Sequence, residues 1–285
     1  MEKYPIKILN KDFKILDYNY SLKGSRIKYL VIDNNKNKAF FKYEGTNYIV
    51  SESCSEKMCY EIAKVLGYPC AKIELARDSD GTLGILNYLF VDMNFIQHID
   101  ILSYLNKNEK ERNNFYTISN IKKVLDNLNV NLFADFVKIM IFDALVGEQD
   151  RHEENWGIII VNNHYYISPL YDNGCSLLRE FKNDNLANQY YSNKKSFEAY
   201  IRKSKTYFYK EDKKTRYGHF ELIHYLYLMY PDIVVNEIIR LKKLTDKKIE
   251  EIVEMIPDDL LTKIHKKYII MYLKRRKEIL LKIIE

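Results

Sequence analysis

Apolar and polar residues alternate in short runs at the start of the chain. YLVID (29–33), the turn-prone NNKNK (34–38) and AFFKYEG (39–45) read as a hairpin, so residues 1–50 are expected to be short strands punctuated by turns. The period then lengthens. Ser53-Cys54-Ser55-Glu56 fits a capping box, and Met58, Ile62, Val65 and Leu66 fall on one face of a helix that should end at Gly67, before Pro69. CAKIEL (70–75) and LGILNYLFV (83–91) flank Asp80-Gly81, a strong hairpin turn, which makes the opening third of the chain a sheet with one helix.

From about Asp100 the pattern turns helical. NKNEKERNNF (106–115) reads as a long surface loop or a loose helix end. NLFADFVKIMIFDALVG (131–147) is apolar nearly all round, as a helix at the centre of an α-rich lobe must be, and should stop at Gly147. WGIIIV (156–161), the turn Asn162-Asn163 and HYYIS (164–168) predict a second hairpin inside the helical half. Helical patterns resume to the C-terminus, and no internal repeat is visible. The fold class is therefore α+β: a small sheet-rich lobe over 1–92 and a larger, mainly helical lobe over 93–285.

At 285 residues with 47% hydrophobic content the chain can bury a substantial core, which excludes a disordered or fibrous protein. Membrane spanning is not expected, because the longest stretch without Asp, Glu, Lys or Arg, Asn155 to Tyr171, carries three Asn, a His and a Ser. The N-terminus lacks the apolar core of a secretory signal, and the four cysteines show neither zinc-ligand nor disulfide-scaffold spacing; a cytoplasmic location is expected. The net charge of +6 is mildly basic, and most of it lies in 258–285, read as a helix with an apolar stripe and a solvated basic face.

Chemistry concentrates between the buried helix and the second hairpin, in GEQDRHEENWGI, and just after it, in LYDNG. Asp150 and Asn155 stand five apart where the chain enters the hairpin, and Asp172 stands where it leaves. Antiparallel pairing brings the two ends together, so three oxygen-bearing side chains can converge. Phosphoryl transfer uses such a set: a carboxylate for the acceptor hydroxyl, and an Asn with a second carboxylate for Mg²⁺ against the phosphates of ATP. D-x-x-x-x-N is also the spacing of the protein-kinase catalytic loop, with Asp172-Asn173-Gly174 where a kinase carries Asp-Phe-Gly.

QDRHEENWG followed by SPLYDNG resembles the HipA-like bacterial serine/threonine kinases, in a compact form similar to the cell-translocating kinase of Helicobacter. The resemblance extends more weakly from about Ser21 to about residue 230. It implies a two-lobed protein-kinase-like fold, ATP and Mg²⁺ as cofactors, a protein substrate with a Ser/Thr acceptor, and autophosphorylation. Asp150 would be the catalytic aspartate, Asn155 and Asp172 would hold the metal, and Lys42 would meet the ATP phosphates. Without the resemblance, Lys42 reads as a solvated strand lysine. Glu56 would pair with Lys42, unless it closes the capping box with Ser53; Glu61 is the alternative partner. Ser21, Gly24 and Ser25 lie where the family has its phosphate-covering loop, with Ser21 and Ser25 as autophosphorylation candidates, although an ordinary turn explains them as well. The backbone around Tyr88, Leu89 and Phe90 is the candidate adenine hinge. His152 reads as a structural hydrogen-bonder, and Arg151 as a group that steadies the loop or contacts phosphate.

Two departures stand out. Glu148 occupies a position where the family usually has Asn, and the phosphate-loop candidate comes about a hundred residues earlier than in full-length HipA. The second weakens the expectation of an antitoxin-like partner and of an associated DNA complex; direct nucleic-acid binding is not expected. The basic run Lys203–Lys214, with Tyr207, Phe208 and Tyr209 interleaved, reads as a substrate-docking loop or as ordinary surface. The same catalytic strings occur in phosphoinositide kinases and aminoglycoside phosphotransferases, so a lipid or small-molecule kinase is an alternative. A catalytically silent scaffold that binds protein or nucleic acid is another.

Overall fold

A computed structural model describes residues 2–17, 28–44, 52–90, 96–105, 112–129, 131–179 and 183–285. Six strands build the first sheet: β1 (Ile6–Ile8), β2 (Phe13–Asp17), β3 (Lys28–Asp33), β4 (Lys38–Tyr43), β5 (Ile73–Arg77) and β6 (Leu83–Tyr88), in the order β1-β5-β6-β4-β3-β2. β1 pairs parallel with β5, and the other neighbours are antiparallel. Helix α1 (Leu9–Asp12) joins β1 to β2, and α2 (Glu52–Leu66) lies between β4 and β5.

Strand alternation sorts the two faces of this sheet. Ala39, Phe41, Leu86 and Tyr88 meet Leu9 and Phe13 in a small outer core. Ile73, Leu75 and Ile85 instead join Met58, Ile62 and Leu66 of α2 in the main core, which continues into the helical half. Lys42 follows Phe41, so the same period of two turns it inward, toward α2. Helix α2 begins at Glu52 rather than after an N-cap at Ser53. The Glu44 carboxylate accepts the backbone N–H groups of Glu52 (2.7 Å) and Ser53 (3.0 Å), an outside cap that also suits the positive end of the helix dipole. The predicted capping box is thus replaced.

The helical half contains β7 (Ile96–Asp100), α3 (Ile101–Leu105), α4 (Arg112–Phe115), α5 (Ile118–Leu128), α6 (Leu132–Val146), β8 (Gly157–Val161), β9 (His164–Ile167), α7 (Asp184–Ser192), α8 (Lys194–Lys203), β10 (Lys205–Tyr209), β11 (Arg216–Gly218), α9 (His219–Met229), α10 (Pro231–Arg240), α11 (Asp246–Glu254) and α12 (Lys263–Leu281). The second hairpin, β8–β9, gains β7 as an antiparallel third strand, which five residues of alternation in the sequence were too short to reveal. The Lys203–Lys214 run holds most of a further hairpin, β10–β11, instead of a loop. Within 106–115, the described part, Arg112–Phe115, is a helical turn.

Helix α6 is buried along almost its whole surface and ends at Gly147, whose φ of +75° is open to glycine at little cost. A Cβ there would stand 1.9 Å from the Tyr272 hydroxyl. The basic face of the last helix is not simply solvated. Arg276 is fully buried and donates to Ala144 O (2.7 Å) and Ser204 Oγ (2.9 Å), while buried Lys266 donates to Ile256 O (2.6 Å). Part of the C-terminal charge therefore serves as internal hydrogen-bond donors. The lobes are tied by Ala71 N–H to Leu170 O (2.8 Å), Leu170 N–H to Pro69 O (2.9 Å) and Tyr68 OH to Glu237 (3.1 Å). No helix among the described residues is long and apolar enough to cross a membrane.

Candidate active site

Lys42 on β4, Glu56 on α2 and Asp172 after β9 meet between the lobes. The Lys42 ammonium forms a short ion pair with Asp172 and lies 3.6 Å from Glu56 Oε1. Because Glu44 caps the helix, Glu56 is free of that task and points at the lysine. Its second oxygen accepts the Asn173 N–H at 3.0 Å. Glu56 is 1% exposed, and burial holds its carboxyl above the usual range against the pull of Lys42. Glu61, the alternative partner, instead pairs with Lys57 (2.7 Å) and Lys64 (3.2 Å).

The residues of the candidate catalytic loop, Asp150 to Asn155, are organised by Arg151, also 1% exposed. Its Nε and Nη2 reach both oxygens of Asp143, at 3.1 Å and 2.9 Å for the shorter contacts. Its Nη1 donates to the carbonyls of Asn155 (2.9 Å) and Tyr171 (2.7 Å), and Nη2 also donates to Asn173 Oδ1 (2.5 Å). One guanidinium thus fastens α6, the Asp150–Asn155 loop and the Asp172 segment together. Burial works against its charge, and Asp143 more than compensates, so its pKa lies above the ordinary arginine value. Of the two readings of Arg151, its contacts fit the one that steadies the loop. Asp143 was missed in the sequence, yet a lone acid in IMIFDALV carries a signal: a buried charge needs a partner.

Within the loop, Asn155 Nδ2 donates to Asp150 O at 2.8 Å, which turns its Oδ1 the other way. Asp150 N–H is held by Glu148 Oε1 at 2.8 Å, and Cys175 Sγ lies 3.6 Å from Asp150 Oδ2. Glu148 is buried, its Oε2 has no hydrogen-bond partner among the described residues, and burial raises its pKa to about 8. His152 serves the backbone: its Nδ1 accepts the Glu154 N–H at 3.2 Å. Asp172 adopts φ +53°, a left-handed conformation that short polar side chains tolerate best, and Leu177 and Leu178 follow at +54° and +68°. Such backbone clusters at sites where geometry is over-determined.

The donor set fits a hard cation: one carboxylate, Asp172, with 40% of its side chain exposed, and one amide oxygen, Asn155 Oδ1. Lys42 beside them fits phosphate oxygens. At the hinge candidate, Tyr88 N–H and Leu89 N–H already donate to Lys72 O and Lys38 O, both at 3.0 Å, and the Tyr88 ring belongs to the outer core. Strand alternation therefore removes the Tyr88 side chain from the cleft. Phe90 faces the site instead, stacked on Tyr171 at 5.9 Å. Ser21, Gly24 and Ser25, together with residues 91–95, lie outside the described residues.

Residues 20–254 match the family described as HipA-like C-terminal domain. The crystal structure of the Helicobacter pylori proinflammatory kinase CtkA is similar with a TM-score of 0.79 and 18% identity, over 95% of this chain and 94% of that one. HipA from Shewanella oneidensis MR-1, in complex with HipB and operator DNA, gives a TM-score of 0.58 and 14% identity over 92% of this chain, which covers 64% of that one. No curated protein matches by sequence. The fold is the two-lobed, kinase-like α+β fold.

Proposed function

The chain belongs to the HipA-like C-terminal domain family, and from that premise we propose that it is an ATP- and Mg²⁺-dependent serine/threonine protein kinase that phosphorylates itself. The observation that carries this reading is the convergence of Lys42, Glu56 and Asp172 beside the loop that bears Asp150 and Asn155. Mg²⁺ bound with ATP supplies charge neutralisation at the transferring phosphoryl group. Asn155 Oδ1 and Asp172 would hold it. Lys42, oriented by Glu56, draws the phosphate oxygens into register. Asp150 accepts the hydrogen bond of the acceptor hydroxyl, with its backbone fixed by Glu148 and its loop by Arg151. Glu148 and Arg151 hold the loop in place ahead of any substrate, so the contribution is preorganised electrostatics and positioning.

In this reading the lobes span 1–92 and 93–285 with the nucleotide between them, and the protein works in the cytoplasm. An antitoxin-like partner is part of the same reading, by analogy with HipA and HipB. Incubation with γ-labelled ATP and Mg²⁺, beside Asp150→Asn and with EDTA, tests it. Label in protein bands of the wild type alone, lost with EDTA, is expected. Label that passes only to a small molecule or lipid would replace the protein-kinase reading. No transfer and no ATP binding would favour a scaffold.

A further inference from the structure

Hairpin β10–β11 is fastened to the catalytic loop. Buried Phe208 stacks on Tyr116 at 4.6 Å, and Tyr209 N–H donates to Tyr116 O at 3.0 Å. The Tyr116 hydroxyl donates to Arg151 O (2.9 Å) and accepts Trp156 Nε1–H (2.7 Å). On the opposite face of β10, strand alternation groups Lys205, Tyr207 and Tyr209. The Tyr207 ring meets the ring of His152, two residues from Asp150, at 5.7 Å. Arg216, across the hairpin on β11, lays its guanidinium 4.3 Å from the Tyr207 ring centre and 5.6 Å from that of Tyr209.

The carboxylates of the hairpin turn are engaged elsewhere. Glu211 accepts from Ser119 N–H (3.2 Å) and O–H (2.6 Å), and Asp212 accepts the backbone N–H groups of Lys214 (2.8 Å) and Thr215 (3.3 Å). Lys210 is paired with Glu221. Among the described residues Arg216 has no carboxylate partner; its contacts are the two aromatic faces. A stacked guanidinium keeps its in-plane N–H edge for a bidentate anion, and the rings hold it in place.

We propose that Arg216, stacked on Tyr207 and Tyr209, is a specificity subsite that receives an acidic side chain of the protein substrate, a few residues from the acceptor hydroxyl. This rests on the protein-kinase reading. Steps of 5.7 Å from the His152 ring to Tyr207 and 4.3 Å from Tyr207 to Arg216 keep the guanidinium within about 10 Å of a catalytic-loop side chain, a span that an extended peptide, advancing about 3.3 Å per residue, covers in about three residues. The stacked guanidinium offers one planar edge that matches the two oxygens of one carboxylate, while Lys205, Lys213 and Lys214 on the same hairpin make nucleic-acid phosphate the rival that the test separates.

The test uses fluorescent Ser-centred peptides with Glu, Gln or Lys three positions to either side, read both by phosphorylation kinetics and by anisotropy. Wild type should favour Glu over Gln about tenfold in KM with kcat little changed. Arg216→Ala should erase the preference, Arg216→Lys should keep part of it, and Arg216→Glu should turn it toward Lys. Unchanged ranking in Arg216→Glu would overturn the subsite, as would Arg216-dependent binding of an oligonucleotide without any preference among the peptides. If no peptide is phosphorylated but anisotropy keeps an Arg216-dependent Glu preference, the kinase reading fails and the subsite stands. If peptides are phosphorylated without regard to charge, the subsite fails and the kinase reading stands.

Discussion

Replacing Arg151 by Met keeps an unbranched apolar stem and removes every polar contact that the guanidinium makes. Asp143 would then be a buried carboxylate without its bidentate partner, and the carbonyls of Asn155 and Tyr171 and the Asn173 side chain would each lose a donor. Breaking a buried ion pair from one side costs about 3–5 kcal/mol, and each buried acceptor left unpaired costs about 1–3 kcal/mol more. Relaxation and water entry offset part of this, so a net loss of at least about 3 kcal/mol is expected, a large share of the roughly 5–15 kcal/mol that holds a domain together. Urea unfolding measures it. Burial already holds Asp143 above the usual carboxylate range, and loss of Arg151 would raise it further. A group with a raised folded pKa stabilises most at low pH and loses that contribution as pH climbs, so Arg151→Met should be penalised more at pH 8 than at pH 5.5. Asp143→Asn in the same background should recover more than about 1 kcal/mol, because it removes the stranded charge. Arg151→Met within about 1 kcal/mol of wild type at both pH values would refute the view that this guanidinium holds the loop.

Asp172→Ala removes the partner of Lys42 from a partly exposed position; it should lose nearly all phosphotransfer while its melting temperature stays within a few degrees, as a paired activity and thermal-melt measurement would show. Glu148→Gln should flatten the pH dependence of stability between about pH 4.5 and 8: the wild-type carboxyl, raised to about 8, favours the fold below its unfolded value and weakens it as pH rises through 8, by up to about 1.4 kcal/mol per unit. Urea midpoints across that range check it, and parallel curves for the two proteins would count against it. Gly147→Ala should cost roughly 3 kcal/mol, from its left-handed backbone and the Tyr272 hydroxyl 1.9 Å from the new Cβ, and Tyr272→Phe should return part of that loss in denaturant unfolding.

Much of this site was legible because local sequence carried it. The pair QDRHEEN and YDNG sits at the two ends of one hairpin, whose pairing draws the Asp150–Asn155 loop toward the Asp172 segment. Lys42 was legible only through the family resemblance; read by itself it passed for a solvated strand lysine, whereas the strand turns it toward α2 and leaves it 14% exposed. What stayed hidden depended on partners distant in sequence. Glu44 caps α2 across a stretch that carries no helix signal, so Ser53-x-x-Glu56 read as a box. Asp143 meets Arg151 through a turn that the periodicity of α6 does not encode. β7 joins β8 from more than fifty residues away, and Arg216 comes near the catalytic loop by way of Tyr207, whose ring meets that of His152 edge-on. The inward burial of Arg276 and Lys266 shows the same limit: composition counts charges but does not say which of them face carbonyls inside the lobe.

Calorimetric titration of ATP with and without Mg²⁺ tests most directly whether Lys42, Asn155 and Asp172 form one nucleotide and metal site. Wild type should bind ATP more tightly with Mg²⁺; Asp172→Asn and Asn155→Ala should lose the Mg²⁺ enhancement, and Lys42→Met should weaken binding whether or not the metal is present. Undiminished Mg²⁺-dependent affinity in both Asp172→Asn and Asn155→Ala would contradict it.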